Sequence, residues 1–274
     1  MSLSLKRPAD LPDFDTPPLD EVVLGVQFDV LSGYRKIQCG EVWGLYRDGY
    51  PKVEERLPLP PSFEIFGGHA PLDSIGQLNL SDGPIHERFW FLDSTGNQII
   101  QFQPDRLLHN WRKVDGSDTY PRFESMANAF NTELARLEGY ANTLESQSLS
   151  INQCEVSYIN RIAIESESER KLANWVALWA DRQEEPENVG FSLRYVLRRD
   201  NGVPYARLFI DCGTGIDNAG KPVFGLTLSI RGAPLEPTID SAMRFLAEGR
   251  NVIVNKFREI TTPFAHKKWG IKNA

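Results

Sequence analysis

The chain has 274 residues, 41% hydrophobic and 24% charged, long enough for one large domain or two smaller ones with an ample core. A formal net charge of −7 and a pI near 5.3 exclude the globally basic footprint of a nonspecific nucleic-acid binder, although local basic patches survive. Mean hydropathy is −0.36, and no apolar run approaches the ~18 residues of a membrane span. Three scattered cysteines, Cys39, Cys154 and Cys212, form no C-x-x-C pair and argue against a disulfide framework. The opening Met1-Ser-Leu-Ser-Leu-Lys-Arg-Pro8 is charged but lacks the apolar region of a secretory signal, so a cytoplasmic address is expected.

Residues 1–18, rich in Pro, Asp and Leu, are expected to form an irregular or poorly ordered arm. Alternation over Glu21–Val30 predicts a half-exposed strand, with Val22, Leu24, Val26 and Phe28 on one face and Val23, Gly25, Gln27 and Asp29 on the other. Near-helical spacing of Val42, Trp43, Leu45 and Tyr46 predicts a short helix within Gln38–Asp48. The span Lys52–Gly68, with Leu57-Pro-Leu-Pro-Pro61, is expected to be extended. It reads as a crossing connection or, alternatively, as a proline-motif ligand. Residues 69–84 form a loop or carry one weak strand near Gln77–Leu80.

The segment Arg88–Lys113 holds a predicted hairpin. Phe89–Leu92 and Ile99–Phe102 flank Asp93–Asn97, where Gly96 or Asn97 supplies the positive φ of the turn. It also carries more polar groups than a strand needs: Gln101, Gln103, Asp105, Arg106, His109, Asn110, Trp111, Arg112 and Lys113. Asp115–Pro121 is a loop. Phe123–Leu144 is an amphipathic helix with the stripe Phe123, Met126, Ala127, Phe130, Leu134, Leu137, Tyr140 and Leu144, and its Gly139 suggests close packing or a break.

The pattern then restarts. A strand over Gln153–Glu165 is followed by an amphipathic helix at Lys171–Arg182 and strands at Phe191–Leu197, Ala206–Cys212 and Val223–Ile230. Asp200-Asn-Gly202 and Gly213–Lys221 divide them, and a last long helix runs from Ile239 to about Ile260. E-V-V-L-G-V-Q-F-D lines up in type with E-V-S-Y-I-N-R-I-A, and R-F-W-F-L-D with R-L-F-I-D-C. The expected fold is therefore α+β: an arm over 1–18 and two similar halves, 19–148 and 149–274. Each half would curl antiparallel strands around a long helix, and the two would join as a saddle or grip whose open sheet face takes a ligand.

Catalytic motifs are lacking. His69, His86, His109 and His266 form neither H-x-x-x-H nor H-E-x-x-H, so no metal is expected. No G-x-S-x-G, P-loop or G-x-G-x-x-G occurs, and no cofactor is expected. A thiol site from Cys154, Glu155 and a distant histidine could be written for nearly any chain.

Polar recognition remains. Arg106, Asn110, Trp111, Arg112 and Lys113, with Tyr120 and Arg122, combine forked donors, amides and aromatic faces suited to anionic or planar ligands. Gln153, Glu155, Tyr158 and Asn160 open the second half with similar chemistry. The competing explanation is a buried, fully hydrogen-bonded network that joins the halves, with Trp90 and Trp111 as core anchors.

The segment F-W-F-L-D-S-T-G-N-Q-I-I-Q-F-Q-P-D-R-L-L-H-N-W-R-K, then Tyr120-Pro121 and Asn152-Gln-Cys-Glu-Val-Ser-Tyr-Ile-Asn160, resembles a sporadically distributed bacterial family of uncharacterised proteins of about this length. Pro17-Pro18-Leu-x-Glu21-Val-Val-x-Gly-Val-Gln-Phe28 and Phe257-x-x-Ile-Thr-Thr262…Trp269-Gly270 resemble it too. The resemblance marks Arg106, Asn110, Trp111, Arg112, Gln153, Glu155, Tyr158 and Asn160 as motif positions and brings no catalytic role. Patchy distribution implies horizontally moved genes such as phage-defence or toxin–antitoxin loci.

The expected function is a non-enzymatic bacterial accessory protein that binds a protein partner or a small polar ligand, without a membrane. One alternative is an enzyme on a phosphorylated or nucleotide substrate, with Arg106 and Arg112 as anion clamps and Asp105 or Glu155 as base. A further alternative, a nucleic-acid binder, is disfavoured by the acidic pI.

Overall fold

The fold is described from a computed structural model covering residues 6–67, 88–116, 118–145, 148–181, 183–184, 186–217 and 219–272. The weak strand expected near Gln77–Leu80, and His69 and His86, lie outside the described residues. Among the described residues, nine strands form one open antiparallel sheet: β1 (Leu19–Phe28), β2 (Lys52–Arg56), β3 (Arg88–Leu92), β4 (Gln98–Gln103), β5 (Arg106–Arg112), β6 (Ile151–Ala163), β7 (Gly190–Arg198), β8 (Pro204–Ile216) and β9 (Pro222–Gly232). Their order is β2-β3-β4-β5-β1-β6-β9-β8-β7, so both expected halves contribute to a single sheet and meet at β1 and β6. The hairpin turn closes through Gly96, at φ 82°.

Alternation decides which face of the sheet carries the core. Val22, Leu24, Val26 and Phe28 of β1 are buried on the same face as Leu107, Val156, Leu228 and Ile230. Two long helices cover that face: α2 (Phe123–Glu145) against β5, and α3 (Ile239–Ile260) against β6 and β9. Phe123, Met126, Ala127, Phe130, Leu134, Leu137 and Ala141 form the buried stripe of α2. Each large apolar side chain buried in this way contributes about 1.5–3 kcal/mol. Gly249 lets α3 approach β6, since a Cβ there would lie 2.7 Å from Val156 Cγ1.

Several expectations need correction. β1 is not half-exposed: lying centrally between β5 and β6, it buries Val23 and Gly25 on its second face as well. The helix expected over Lys171–Arg182 is a short 3-10 turn, Leu172–Asn174, followed by turns. Its apolar spacing serves docking instead. The Trp175 ring stacks on Trp269 at 5.8 Å, while Thr262 N–H donates to Trp175 O at 3.1 Å. Gly213–Ile216 belongs to β8 rather than to a loop, because Gly213 pairs by backbone with Gly190 and Gly225. Gly139 neither packs closely nor breaks α2; it is exposed, with no atom within 4 Å of an added Cβ.

Two further helices complete the described residues. α1 (Cys39–Gly44) falls within the segment expected to be helical, and α4 (Pro263–Trp269) was not anticipated. The signals for α4 stand in the sequence: Thr262 accepts from Ala265 N–H at 3.2 Å, Pro263 opens the first turn, and Gly270 closes it at φ 66°. The described part of the arm is irregular but tied down. Leu11 and Phe14 are buried, the Phe14 ring lies 5.6 Å from that of Phe257, and Asp15 and Thr16 donate to Gly270 and Trp269 carbonyls. Among the described residues, no helix is long and apolar enough to cross a membrane.

Candidate recognition site on the open sheet face

The pleat sorts the expected site residues onto two faces. Arg106, Asn110 and Arg112 of β5, with Gln153 and Glu155 of β6, point away from the helices. Trp111, Tyr158 and Asn160 point toward them. There the Trp111 ring meets Tyr120 at 5.3 Å, the Tyr120 and Tyr158 hydroxyls lie 3.0 Å apart, and Asn160 donates to Leu226 O at 3.0 Å. Burial pushes Tyr158 up to about 12, and Tyr120 well above its ordinary value. Lys113 follows β5 and donates its backbone N–H to Asp20 O at 2.7 Å. Arg122 leads into α2 and pairs with Asp13 at 2.7 Å. Burial would raise the Asp13 carboxyl, but this hydrogen bond and the charges of Arg122 and Arg7 hold it below its ordinary value. Cys154 and Glu155, adjacent in sequence, fall on opposite faces, so they form no thiol site together.

On the open face, a row of side chains crosses four neighbouring strands: Gln103 of β4, Arg106 of β5, Gln27 of β1 and Gln153 of β6. The proline-rich segment 57–66 lies over this row as a strap, and each member of the row holds its backbone. Gln103 accepts from Leu59 N–H at 2.8 Å and donates to Leu59 O at 3.2 Å. Gln27 does the same at Ser62, at 3.1 and 2.6 Å. Arg106, which makes two bonds to Asp105, also donates to Pro60 O at 3.1 Å. Gln153, with its carboxamide oxygen turned to the strap, accepts from Glu64 N–H at 3.3 Å. Leu59, Pro60, Ser62 and Glu64 thus meet β4, β5, β1 and β6 in turn.

The far end of the strap meets like charges. Arg207 of β8 and Arg231 of β9 are direct cross-strand partners, an arrangement that repels unless an anion lies between them. Glu64 supplies it. Its carboxylate, with 5% of the side chain exposed, pairs with Arg207 and lies 3.7 Å from Arg231. Arg231 also pairs with Glu155 at 2.9 Å and donates to Ser62 Oγ at 3.0 Å, while Arg207 donates to Ile65 O at 3.0 Å. Beneath the strap remains a cavity of about 340 Å³, lined by Gly25, Gln27, Arg106, Leu108, Glu155 and Arg231 among others.

Toward the β2 edge lies a second polar system. Trp90 Nε1 and Arg88 Nη1 both donate to Gln101 Oε1, at 3.0 and 3.1 Å. Gln101 donates to Asn110, and Asn110 donates to Glu21. Burial raises the Glu21 carboxyl despite the bond from Asn110 and the charge of Arg112. Around the Trp90 ring the guanidiniums of Arg56, Arg88 and Arg112 lie 4.4, 5.6 and 5.7 Å from its centroid. Arg56 pairs with the exposed Glu54. Among the described residues no carboxylate lies within 4 Å of Arg88 or Arg112, and Arg88 Nε is buried without a partner. Desolvation, then the charges of Arg56 and Arg106, lower the Arg88 pKa.

Sequence reasoning did not single out Gln27, Glu64, Arg88, Arg207 or Arg231 as site residues. The alternation of β1 had placed Gln27 on its second face; nothing local distinguishes the other four. Among the described residues no cluster of His, Cys, Asp and Glu is arranged to hold a metal ion. Comparison of the chain with protein-family models, with curated proteins and with solved structures found no match.

Proposed function

We propose that this chain is a non-enzymatic binding or accessory protein that recognises an anionic ligand or partner on the open face of its sheet. The cluster around Trp90 carries the reading: three guanidiniums converge on one indole, and two of them have no carboxylate within 4 Å among the described residues. A buried, unpartnered guanidinium nitrogen asks for an acceptor from outside. Supporting the non-enzymatic reading, burial pushes the Cys212 thiol up to about 12 and raises Cys154 further, so neither is a thiolate near neutrality. Asp105, proposed as a base in the enzyme alternative, takes two bonds from Arg106.

The test is calorimetric titration of the full chain with inorganic pyrophosphate. Binding is expected, and Arg88→Ala with Arg112→Ala should weaken it by about tenfold or more, the scale of one charge-assisted hydrogen bond. No binding, or binding indifferent to both substitutions, would sink the reading.

We further infer that the chain consists of two related halves, 19–148 and 149–274, forming a saddle-like grip. Two features of the strand order support this. β1 is flanked by β5, the last strand of its own half, and β6 by β9, the last of its half; each half then closes with a long helix. Of the two sequence echoes, the first falls on the facing strands β1 and β6. The second falls on β3 and β8, which stand third and second out from the centre, and lends no support. Membership of the sporadic bacterial family and a defence or toxin–antitoxin setting belong to the same proposal, on the motif residues alone.

A further inference from the structure

The strap is held in an unusual way for a piece of core. Segments that cover a sheet for stability bury apolar side chains and leave polar ones outside. Here only Leu59 and Phe66, among the large apolar side chains, are half-buried, and the others turn outward. Leu57, Phe63 and Ile65 are 84%, 55% and 75% exposed, whereas the strap's backbone and the Glu64 carboxylate face the sheet. Two carboxamides three strap residues apart each pair with a backbone N–H and C=O, as an adjacent strand would, and they read no side chain. Two strap side chains are read: the Glu64 carboxylate between Arg207 and Arg231, and the Ser62 hydroxyl, which accepts from Arg231 at 3.0 Å. The cavity of about 340 Å³ beneath the strap, walled by Gly25, Leu108 and Leu59 as well as by Arg106, Glu155 and Arg231, has room for a side chain longer than those the strap directs there.

We infer that the strap is an internal stand-in, and that the face over β4, β5, β1, β6, β9 and β8 binds an extended acidic segment of a partner protein when the strap lifts. This rests on the sheet face being a binding surface. The partner segment presents an extended backbone, kept out of helix by proline or β-branched residues, and a carboxylate two residues beyond the point held by Gln27. The like-charged pair Arg207 and Arg231 selects for that carboxylate, and the strap, tethered in cis at high local concentration, competes with it.

The test uses the full chain carrying Glu64→Ala, which removes the carboxylate partner of Arg207, leaves Arg231 with Glu155 and keeps every group of the sheet face in place. The probe is a fluorescein-labelled peptide of the sequence Leu57–Phe66, followed by anisotropy. The variant is expected to bind it at least about tenfold more tightly than the wild-type chain, whose face is occupied. A peptide with alanine everywhere except the prolines, the serine and the glutamate is expected to bind within about threefold of the first, because the backbone, one hydroxyl and one carboxylate are what is recognised. No binding to folded Glu64→Ala protein, loss of binding in the alanine peptide, or dimers formed by exchange of straps would each overturn the inference. If the variant does not fold, hydrogen exchange on the wild-type chain decides. Leu59, Ser62 and Glu64 amides exchanging far faster than those of β1 uphold a strap that lifts; equal rates overturn it. Pyrophosphate titration of the same sample separates the two readings: pyrophosphate binding without peptide binding removes this inference alone, and loss of both removes the binding face as well.

Discussion

The carboxamide of Gln103 closes both backbone positions of Leu59, accepting from its N–H at 2.8 Å and donating to its carbonyl at 3.2 Å, so a side chain does the work of a neighbouring strand. Each such neutral bond contributes about 1 kcal/mol, and the strap's backbone can turn to water when it is lost. Gln103→Ala is therefore expected to speed exchange of the Leu59 amide by about tenfold. The thermal midpoint should fall by only a few degrees. Amide exchange by NMR and a thermal scan check both; a collapse of the midpoint would make the strap part of the core.

His109 has the opposite character. It projects from β5 toward α2, where its Nδ1 lies 2.8 Å from a Glu133 carboxylate oxygen and its Nε2 lies 3.0 Å from Gln98 Oε1. Tyr50 donates to the same carboxylate at 2.8 Å, and Tyr46 to the Glu133 carbonyl at 3.0 Å. Burial, then the Glu133 charge, raises both phenols, so they remain donors throughout the neutral range. Removing the shared acceptor leaves several buried donors unpaired. Glu133→Ala is expected to cost about 3–5 kcal/mol in urea unfolding, with Glu133→Gln costing less.

Glu21 gives a pH signature. Its carboxyl ordinarily titrates at 4.5, and burial raises it in the folded chain. Between those two values the native state holds a proton that the unfolded state has released, so stability falls as pH climbs through that window. Glu21→Gln, neutral at every pH and still able to accept from Asn110, is expected to melt above the wild-type chain at about pH 8. The advantage should vanish at about pH 4, below both values. Paired thermal scans at these pH values check it.

The three cysteines should separate by access. Cys154 and Cys212 are buried, with thiols raised by desolvation, whereas Cys39 is half-buried at the start of α1. A thiol-reactive chromophore is expected to label one cysteine, Cys39, in the native chain and all three in urea. Peptide mapping of the labelled protein identifies the site.

Periodicity alone located the two long helices. The α2 stripe holds from Phe123 to Leu137, after which Ala141 is buried and Tyr140 and Leu144 are only half-buried; α3 spans the expected Ile239–Ile260, because an amphipathic face is a local property of the chain. The hairpin through Gly96 was legible for the same reason: its positive φ is a requirement within five residues. Lys171–Arg182 misled because Trp175, which docks on α4, and Trp179, which stacks on Phe191 of β7, fall at helical spacing, and no local signal separates the two causes. Among the site residues, the polar density of Arg106–Arg112 and Gln153–Asn160 was visible, but its division between two faces was not. Trp111, Tyr158 and Asn160 serve the helix side, whereas Arg106, Asn110, Arg112, Gln153 and Glu155 serve the open one.

By itself the sequence determined the α+β composition, the spans of the two long helices, the alternation within each strand and the acidic balance, since each depends on neighbours a few residues apart. Only the tertiary structure decided that β1 lies beside β6, which strands the proline-rich connection crosses, and that Glu64 meets Arg207 across 143 residues of chain. Such partners are chosen when hydrophobic burial brings distant strands into register, and charge and hydrogen bonding then act over a few ångströms that no stretch of sequence specifies.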